Sequence, residues 1–380
     1  MDRKPYVMQI LPALQSGGVE RGTIEIAKAL KEAEYPNCVV SSGGPMAYEL
    51  KRIGVEHITL PVHSKNPFKI WRNSRRLKKI IAEKGIDIVH ARSRAPAWVA
   101  WLAIRKNPSV RFLTTFHGTY GISPRFLKKP YNAVMTKGKL IVSISNFITK
   151  HLKDNYNVSE DKLRLIHRGA DVEKFDTVCV SPERVVSLVE KWQVPLDRPV
   201  IMLPGRLTRW KGQLVLLEAL SLMKHQKLVC ILVGSDQGRT SYTQELKEKI
   251  QKLKKEVSVL IVDHCSDMPA AYMLSDIVVS ASTDPEAFGR VIPEAQAMGR
   301  LVVGSNHGGA TETIDDGKTG FLVPPSDAQA LAKTLDRMLE MPLDARKQMS
   351  SDAMDSVRMC FSVHKMCSKT LAVYDELMEE

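Results

Sequence analysis

The sequence is short of three kinds of pattern, and each absence excludes a class of protein. No window approaches about eighteen consecutive apolar residues, so no membrane-spanning helix is expected. The opening residues, MDRKPYVMQIL, lack the long apolar core of a signal peptide, which predicts a protein that stays in the cytoplasm. The six cysteines have no CxxC or Cys/His spacing, so they are predicted to be reduced thiols.

Patterns for binding metal through carboxylates are also missing. There is no Asp-x-Asp pair and no cluster of His and carboxylate residues with ligand spacing, so no bound metal is expected. What the chain does have is size: 380 residues, of which 44% are hydrophobic and 26% charged. That exceeds one typical core and predicts two domains.

The net charge of +13 is divided unevenly along the chain. Residues 1–170 contain 30 Lys and Arg against 12 Asp and Glu, whereas residues 171–380 contain 25 against 30. The two parts therefore have net charges of +18 and −5. Such asymmetry indicates that the first half meets an anionic surface or substrate, and both nucleic acid and an anionic membrane are candidates.

Strand-like apolar runs alternate with amphipathic helical runs through both halves. In the first half, for example, residues 6–11 predict a strand and residues 19–30 a helix, and a second series starts at residues 200–203. This alternation predicts an α/β fold with parallel, doubly wound sheets. Ligands of such sheets bind in loops at the carboxyl ends of the strands.

Residues 280–299 combine two carboxylates, a glycine turn and the start of a helix. Phe288, Gly289 and Arg290 are predicted at the helix start, where free N–H groups favour an anion. Glu286 and Glu294 are eight residues apart, so they suit separate hydroxyl groups of one long ligand rather than one chelated ion. A sugar joined to a phosphate would fit, and a solvated acidic loop is the alternative.

Two cations follow the predicted strand at residues 200–203. Arg206 and Lys211 are five residues apart in the next loop, where they could neutralise a diphosphate whose charge grows as a sugar leaves. The alternative is a pair of surface cations beside a turn.

These stretches resemble the retaining family-four glycosyltransferases of GT-B architecture. Glu286 and Glu294, with Phe288 and Gly289 between them, match the donor-site signature of that family. The run GRLTRWKG resembles its diphosphate-binding loop, and residues 308–332 resemble it throughout. In the first half, IHRGADVEKF resembles the entry to the second domain, although Arg168 stands where the family usually has Asn.

The resemblance implies two Rossmann-like doubly wound domains facing a cleft. Residues 1–175 would bind the acceptor and residues 176–360 the donor, and residues 361–380 would return to the first domain. Gly17 and Gly18 form a strand-to-helix turn, either a simple tight turn or, as in the family, one that faces the donor's diphosphate and sugar. His117 follows the predicted strand at residues 111–116; such a histidine is often structural, but the resemblance places it beside the transferred sugar.

The same resemblance implies a retaining, metal-independent transfer with no cofactor beyond the nucleotide-diphosphate sugar. Arg206, Lys211 and the backbone of residues 288–290 would stabilise the departing diphosphate, and Glu286 would hold sugar hydroxyls, with Glu294 on the ribose. No side chain is a convincing general base, and a front-face mechanism would not need one. A nucleotide-sugar epimerase or phosphorylase of the same architecture is the alternative.

Two basic segments with aromatic residues lie in the acceptor half, at residues 65–84 and 125–131. They are either solvated faces or a surface for anionic lipid or an anionic acceptor. The second interpretation predicts a lipid-linked or envelope glycan acceptor, as in lipopolysaccharide synthesis, at the inner face of the cytoplasmic membrane. A nucleic-acid partner is not expected, because few aromatic residues stand beside the basic runs and no binding module is recognisable.

Overall fold

The structure, a computed structural model, describes residues 3–15, 17–121 and 125–379. The chain forms two compact units, one made of Met1–Arg168 and His364–Glu380 and the other of Gly169–Val363. It therefore crosses from the first unit to the second once and returns once. The first domain boundary predicted from the sequence falls seven residues after the observed crossing to the second unit. The second predicted boundary falls three residues before the observed return.

The first unit is built on a parallel sheet. Its strands, among the described residues, are β1 (Val7–Ile10), β2 (Asn37–Ser41), β3 (Glu56–Thr59), β4 (Ile88–Ala91), β5 (Arg111–Phe116), β6 (Leu140–Ser143) and β7 (Leu163–Leu165). They lie in the order β3-β2-β1-β4-β5-β6-β7, and β1, β4 and β6 are buried over their whole length. Burial on both faces is typical of parallel strands covered by helices. The strand order reverses between β1 and β4, which confirms the doubly wound topology.

The helices of the first unit are α1 (Gly18–Glu32), α2 (Ala47–Arg52), α3 (Pro67–Lys84), α4 (Arg94–Ile104), α5 (Arg125–Asn132) and α6 (Asn146–Tyr156). Side-chain caps begin two of these helices, α3 and α6. The side chain of Asn66 accepts hydrogen bonds from two N–H groups at the start of α3, and Gly85 ends that helix with φ of 63°. Ser145 Oγ accepts a hydrogen bond from Ile148 N at 3.1 Å at the start of α6.

The second unit repeats the design with a smaller sheet. Its strands, in the part of the chain that the structure describes, are β8 (Val200–Pro204), β9 (Leu228–Val233), β10 (Val257–Val262), β11 (Ile277–Ser280), β12 (Leu301–Ser305) and β13 (Phe321–Val323). They lie in the order β10-β9-β8-β11-β12-β13 and are parallel, so β8 and β11 flank the point of reversal. Its helices are α7 (Pro182–Trp192), α8 (Gln213–Leu222), α9 (Thr240–Ile250), α10 (Met268–Leu274), α11 (Val291–Ala297), α12 (Ala310–Thr313), α13 (Ala328–Glu340) and α14 (Leu343–Cys360).

The last helix, α15 (Val363–Glu379), packs on the first unit. The contacts that hold it there include Tyr374 Oη to His90 Nδ1 at 2.7 Å, Tyr35 Oη to Asp375 Oδ1 at 2.6 Å, and the ion pair of Arg164 with Glu376. The Tyr374 side chain is fully buried. Its hydroxyl thus forms part of a buried polar network, in which hydrogen bonds are strong and costly to leave unmade.

Candidate functional site

Glu286 lies in the loop between β11 and α11, at the carboxyl end of the second sheet. One of its oxygens, Oε1, accepts hydrogen bonds from Lys211 Nζ at 2.8 Å and from Ser282 Oγ at 2.6 Å. Ser280 Oγ lies 3.4 Å from the same oxygen. Among the described groups none donates a hydrogen bond to the other oxygen, Oε2. One half of the carboxylate is therefore held by the protein and the other half can accept from a ligand.

Lys211 reaches Glu286 because the loops after β8 and β11 come very close together. The backbone of Gly212 has φ of 74°, and a Cβ atom there would lie 1.8 Å from the carbonyl oxygen of Ala281. Thr283 N also donates to Trp210 O at 2.8 Å, which ties the two loops. The Lys211 ammonium lies 4.5 Å from the centre of the Trp210 ring, a cation–π contact. The predicted diphosphate loop and the predicted sugar carboxylate thus meet at one place.

The charge state of Glu286 follows from this packing. Burial alone would raise the pKa of the carboxyl group, but the ammonium of Lys211 and the hydroxyls of Ser282 and Ser280 outweigh it. The net result is a pKa below the usual value. Glu286 is therefore ionised at neutral pH and acts as an acceptor of hydrogen bonds, which is the state that the predicted role of holding sugar hydroxyls requires.

Arg206, the other predicted cation, is exposed. Its side chain makes no hydrogen bond or ion pair to any residue that the structure describes, while its carbonyl oxygen accepts from Gln213 Nε2 at 3.0 Å. The backbone is thus fixed and the guanidinium is left to the solvent side. This arrangement suits a cation that meets an anionic ligand rather than one that stabilises the fold.

Glu294 lies on α11, which begins directly after Arg290 as predicted. The carboxylate forms an ion pair with Arg290, Oε1 to Nε at 3.2 Å, and accepts a hydrogen bond from the buried Tyr272 hydroxyl at 3.2 Å. Phe288 is 3% exposed and Gly289 has φ of 81°, so the loop before α11 is packed and sharply turned. Glu286 and Glu294 thus have separate partners, which agrees with separate roles.

A small pocket surrounds Glu286. It is lined by Ser280, Ser282, Glu286, Phe288, Gly289, Ile292, Ser305, His307 and Ala310. His307 Nε2 lies 2.9 Å from the carbonyl oxygen of Ser282 and therefore donates to it. Sequence reasoning missed Ser282 and His307, because nothing in the spacing indicates that the loop after β12 touches the loop after β11.

Gly308 and Gly309 pack directly against the backbone of the loop that contains Glu286. Gly309 N donates to the Glu286 carbonyl oxygen at 2.8 Å. A Cβ atom at Gly309 would lie 2.3 Å from Phe288 Cα, and one at Gly308 would lie 2.4 Å from Glu286 O. Only glycine permits such close backbone contact. The two glycines therefore let the loop after β12 pack directly against the loop that contains Glu286.

His117 follows β5 in the first unit, at the carboxyl end of the sheet. Both ring nitrogens are buried, and neither has a hydrogen-bond partner among the described residues. Burial and the charges of Arg168 and Arg92 hold the pKa of His117 well below its usual value. A neutral imidazole with unsatisfied nitrogens is costly unless a ligand satisfies it, so His117 is a candidate binding group.

Gly17 and Gly18 form the turn between β1 and α1, as predicted. Gly17 has φ of 153° and caps the helix, and both residues are exposed. The guanidinium of Arg168 donates to the carbonyl oxygen of Gly18. The first unit thus contains the glycine turn, the buried arginine that contacts it, and His117, whereas Lys211, Arg206 and both glutamates belong to the second unit.

Two features are absent from the part of the chain that the structure describes. No three His, Cys, Asp or Glu side chains among those residues are grouped so that they could hold a metal ion. No helix within the same ranges has the length and apolar character needed to cross a membrane.

The first basic segment, residues 65–84, contains α3, which exposes both aromatic and basic side chains. Phe68 and Trp71 are 67% and 50% exposed, with ring centres 5.9 Å apart, and Arg75 lies 5.1 Å from the Trp71 ring. Lys69, Arg72, Arg75, Arg76, Lys78 and Lys79 are all exposed. The second segment, residues 125–131, lies in α5, and the side chains of residues 125–127 are outside the described part of the chain.

Comparison with protein families gives two matches that lie side by side. The model described as Glycosyltransferase Family 4 matches residues 16–174, and the one described as Glycosyl transferases group 1 matches residues 187–355. The first match covers most of the first unit and the second covers most of the second unit.

Three similar proteins, two of them solved structures, are consistent with these family matches. A glycosyltransferase from Rickettsia africae is 43% identical over 99% of both chains, with a TM-score of 0.91. HepE from Anabaena, solved with UDP and glucose, has the same fold at 22% identity, with a TM-score of 0.82 over 98% of this chain and all of that one. A D-inositol 3-phosphate glycosyltransferase from Corynebacterium urealyticum is 28% identical over 67% of this chain and 63% of its own length.

Proposed function

The chain belongs to the glycosyltransferases, in the group 1 and family 4 lineage with GT-B architecture, and from this premise we propose its reaction and substrates. It transfers a sugar from a nucleoside-diphosphate sugar to a lipid-linked or envelope glycan acceptor, with retention of anomeric configuration. The observation that supports this best is the ionised Glu286 held by Lys211, in the same unit as the exposed guanidinium of Arg206. Such a set offers an acceptor for hydroxyl groups together with two cations for a diphosphate. The nucleotide and sugar bound to HepE also support a nucleotide-sugar donor.

In this reaction the bond between the sugar C1 and the diphosphate oxygen breaks while the acceptor oxygen bonds to C1 on the same face. The proton of the acceptor hydroxyl passes to the departing phosphate oxygen, so no protein base is needed. Arg206 and Lys211 stabilise the negative charge that develops on that oxygen. In the first unit, the backbone of the Gly17–Gly18 turn meets the diphosphate and His117 meets the sugar. Exclusive transfer with inversion, seen by NMR of the product anomer, would refute the retaining step.

The two glutamates have distinguishable roles under this proposal. Glu286→Gln is expected to lower kcat about tenfold to a hundredfold with little change in the affinity for free nucleoside diphosphate, because the part of the donor that this carboxylate meets is the sugar. Glu294→Gln is expected to weaken nucleoside diphosphate binding itself, because it meets the ribose. Steady-state kinetics and calorimetric titration of both variants check this. Equal losses of diphosphate affinity would merge the two roles.

We further propose that transfer needs no metal ion, since two protein cations meet the diphosphate. Full activity is therefore expected in an excess of EDTA. The measurement compares initial rates with EDTA, with EDTA plus surplus Mg²⁺ or Mn²⁺, and without either. Activity that EDTA removes and a divalent cation restores would overturn the metal-free proposal.

The proposed function as a whole is tested with a panel of nucleotide sugars. Release of nucleoside diphosphate from one of them, dependent on an added glycan acceptor, is the expected result. Conversion of a nucleotide sugar to its epimer without diphosphate release would instead identify an epimerase. A requirement for inorganic phosphate would identify a phosphorylase.

The acceptor proposal rests on the surface of the first unit. The net charge of +18 in residues 1–170 and the exposed Phe68, Trp71 and basic side chains of α3 suit an anionic lipid surface. Each Lys or Arg near an anionic leaflet contributes about 1 kcal/mol, so several together give reversible attachment without a membrane span. We propose that the enzyme works on an acceptor at the inner face of the cytoplasmic membrane, in the synthesis of lipopolysaccharide or another envelope polysaccharide.

Co-sedimentation with liposomes is expected to show binding to anionic vesicles at low salt, and to neutral vesicles hardly at all, because salt screens such charges. The test variant replaces four basic residues of α3 by Glu: Arg75, Arg76, Lys78 and Lys79. A matched control reverses four exposed lysines of the second unit: Lys249, Lys252, Lys254 and Lys255. If the wild type ignores anionic vesicles, and the α3 variant still transfers to the natural acceptor, the helix is a solvated face and the acceptor is soluble.

A further inference from the structure

Arg168 is a buried charge at the last position of the first unit before the chain crosses to the second. It is 5% exposed, and burying a guanidinium is unfavourable unless the protein provides partners for it. Arg168 is also the residue at which this chain departs from the resembling family. An arginine at this place therefore needs a physical reason.

The guanidinium is seated against the beginning of α1. It donates to the carbonyl oxygen of Gly18, and Nη1 lies 3.8 Å from Met366 Sδ on α15. The space it occupies exists because residue 22 of α1 is glycine: a Cβ atom there would lie 2.0 Å from Arg168 Nη1 and 2.5 Å from Cζ. Glycine is unfavourable inside a helix, so Gly22 indicates that the seat for the guanidinium outweighs helix propensity.

The same guanidinium acts on His117. After burial itself, the charge of Arg168 is the largest cause that lowers the pKa of His117, followed by the charge of Arg92 and the neighbouring His90. Of these neighbours, Arg92 is fixed by Gln9, with Nε to Oε1 at 2.9 Å, and His90 is fixed by Tyr374. Arg168 is thus the group that touches the glycine turn and also affects the histidine.

We propose that Arg168 is a positioning residue for sugar transfer. Its guanidinium, which lies in the space left by Gly22, fixes the Gly17–Gly18 turn through the carbonyl oxygen of Gly18. Its positive charge also keeps the ring of His117 neutral where that ring meets the donor. This inference rests on the proposed function. A neutral imidazole offers one donor and one acceptor to a sugar hydroxyl, whereas an imidazolium offers only donors. Arg168 therefore acts through the turn and the histidine and does not itself touch the reacting atoms.

The experiment uses four variants of the full chain. Arg168→Met removes the charge and the hydrogen bond, and Arg168→Lys keeps the charge. Gly22→Ala keeps Arg168 but fills the space that its guanidinium occupies. The fourth variant combines Gly22→Ala with Arg168→Met. The matched control is Arg164→Met, which removes an arginine that pairs with Glu376 and holds the same helix α15.

Arg168→Met is expected to lower kcat/KM about tenfold to a hundredfold, the loss typical of a hydrogen bond to a charged group. Its acid limb in the pH profile of kcat/KM is expected to move to higher pH, because removing a neighbouring cation raises the pKa of His117. Arg168→Lys should keep the acid limb of the wild type. Arg164→Met should lower stability without moving that limb.

The combined variant gives the sharpest result. Gly22→Ala alone is expected to lower kcat/KM as Arg168→Met does, since the alanine methyl displaces the guanidinium. In the Arg168→Met background the alanine methyl no longer meets a guanidinium, and alanine has a better helix propensity than glycine. Gly22→Ala should therefore lower kcat/KM much less in Arg168→Met than in the wild type. Losses that multiply, or variants with the wild-type kcat/KM and pH profile, would overturn the inference.

NMR of histidine-labelled protein separates this inference from the proposed function. The His117 ring is expected to titrate at higher pH in Arg168→Met than in the wild type, whether or not a donor sugar has been found. An unchanged His117 titration would refute the electrostatic role. A wild type that releases nucleoside diphosphate from no nucleotide sugar would refute the proposed function instead. If Arg168→Met fails to fold, Arg168→Lys and Gly22→Ala are compared in the same way.

Discussion

Replacing Lys211 by Met is expected to lower kcat for sugar transfer about a hundredfold to a thousandfold, the usual cost of losing one preorganised group that stabilises developing charge. The variant should also be less stable, by about 1 to 3 kcal/mol, because Glu286 keeps its burial and loses its ammonium partner. Both side chains are mostly buried, at 13% and 17% exposure, so solvent screens the pair only weakly.

The stability loss has a predictable dependence on pH. In the wild type the pKa of Glu286 lies below its usual value, so the pair stabilises the fold above the pKa of the unfolded chain, and this stability is lost as pH falls through the folded pKa. In Lys211→Met, burial acts without the ammonium and raises the pKa of Glu286. The difference in unfolding free energy between the two proteins should therefore be largest near neutral pH and shrink as the pH falls.

Two comparison variants separate catalysis from stability. Arg206→Met should lower kcat by a similar factor with little change in unfolding free energy, because this side chain is exposed and unpaired among the described residues. Lys227→Met removes an exposed ion pair with Asp197 and should affect neither quantity by much. Turnover within a few fold of the wild type in both Lys211→Met and Arg206→Met would contradict the assignment of a diphosphate to this loop.

Gly309→Ala is the second substitution with a large expected effect. The φ angle of Gly309 is −67°, which alanine adopts without strain, so the effect comes only from the Phe288 backbone 2.3 Å from the new methyl. The loop with Glu286 must shift, and a displacement of about 1 Å at a reacting centre typically costs about a hundredfold in rate. Overpacking should also reduce the unfolding free energy by about 1 to 3 kcal/mol.

Gly317→Ala is the matched control for this prediction. Gly317 has φ of 78°, and no described atom lies within 4 Å of the place that an alanine methyl would take, so alanine there adds backbone strain without a close contact. It should cost about 1 to 2 kcal/mol and leave kcat unchanged. If Gly309→Ala transfers sugar at the wild-type rate, the glycine pair does not position the donor loop.

Sequence reasoning identified the sheets and the loops because apolar strands and amphipathic helices alternate regularly. It failed where the signal is weak. Helix α14 was not predicted, since only Met349, Ala353 and Val357 are buried along its eighteen residues. Strand β7 was missed because it has three residues, all partly exposed.

Within the site, residue types were easier to predict than contacts. Glu286 and Lys211 were each predicted from the loop that contains them, yet their ion pair depends on β8 and β11 being neighbours in the sheet. The contact of Gly309 with Phe288 likewise depends on β12 lying beside β11. The role of Arg168 depends on Gly22, which is 146 positions earlier in the chain. Such pairings are properties of the folded topology and leave no local trace.

The return of α15 to the first unit has a consequence for biosynthesis. Residues 169–363 form the second unit without interruption, whereas the first unit needs contacts such as Tyr374 with His90 and Tyr35 with Asp375, which are 284 and 340 positions apart. On the ribosome the first unit is therefore begun first and completed last, after the second unit has had time to fold. Until residues 364–379 emerge, His90 and the apolar surface that α15 covers in the folded protein stay exposed. The nascent chain is therefore most prone to aggregation, and most accessible to chaperones, during that interval.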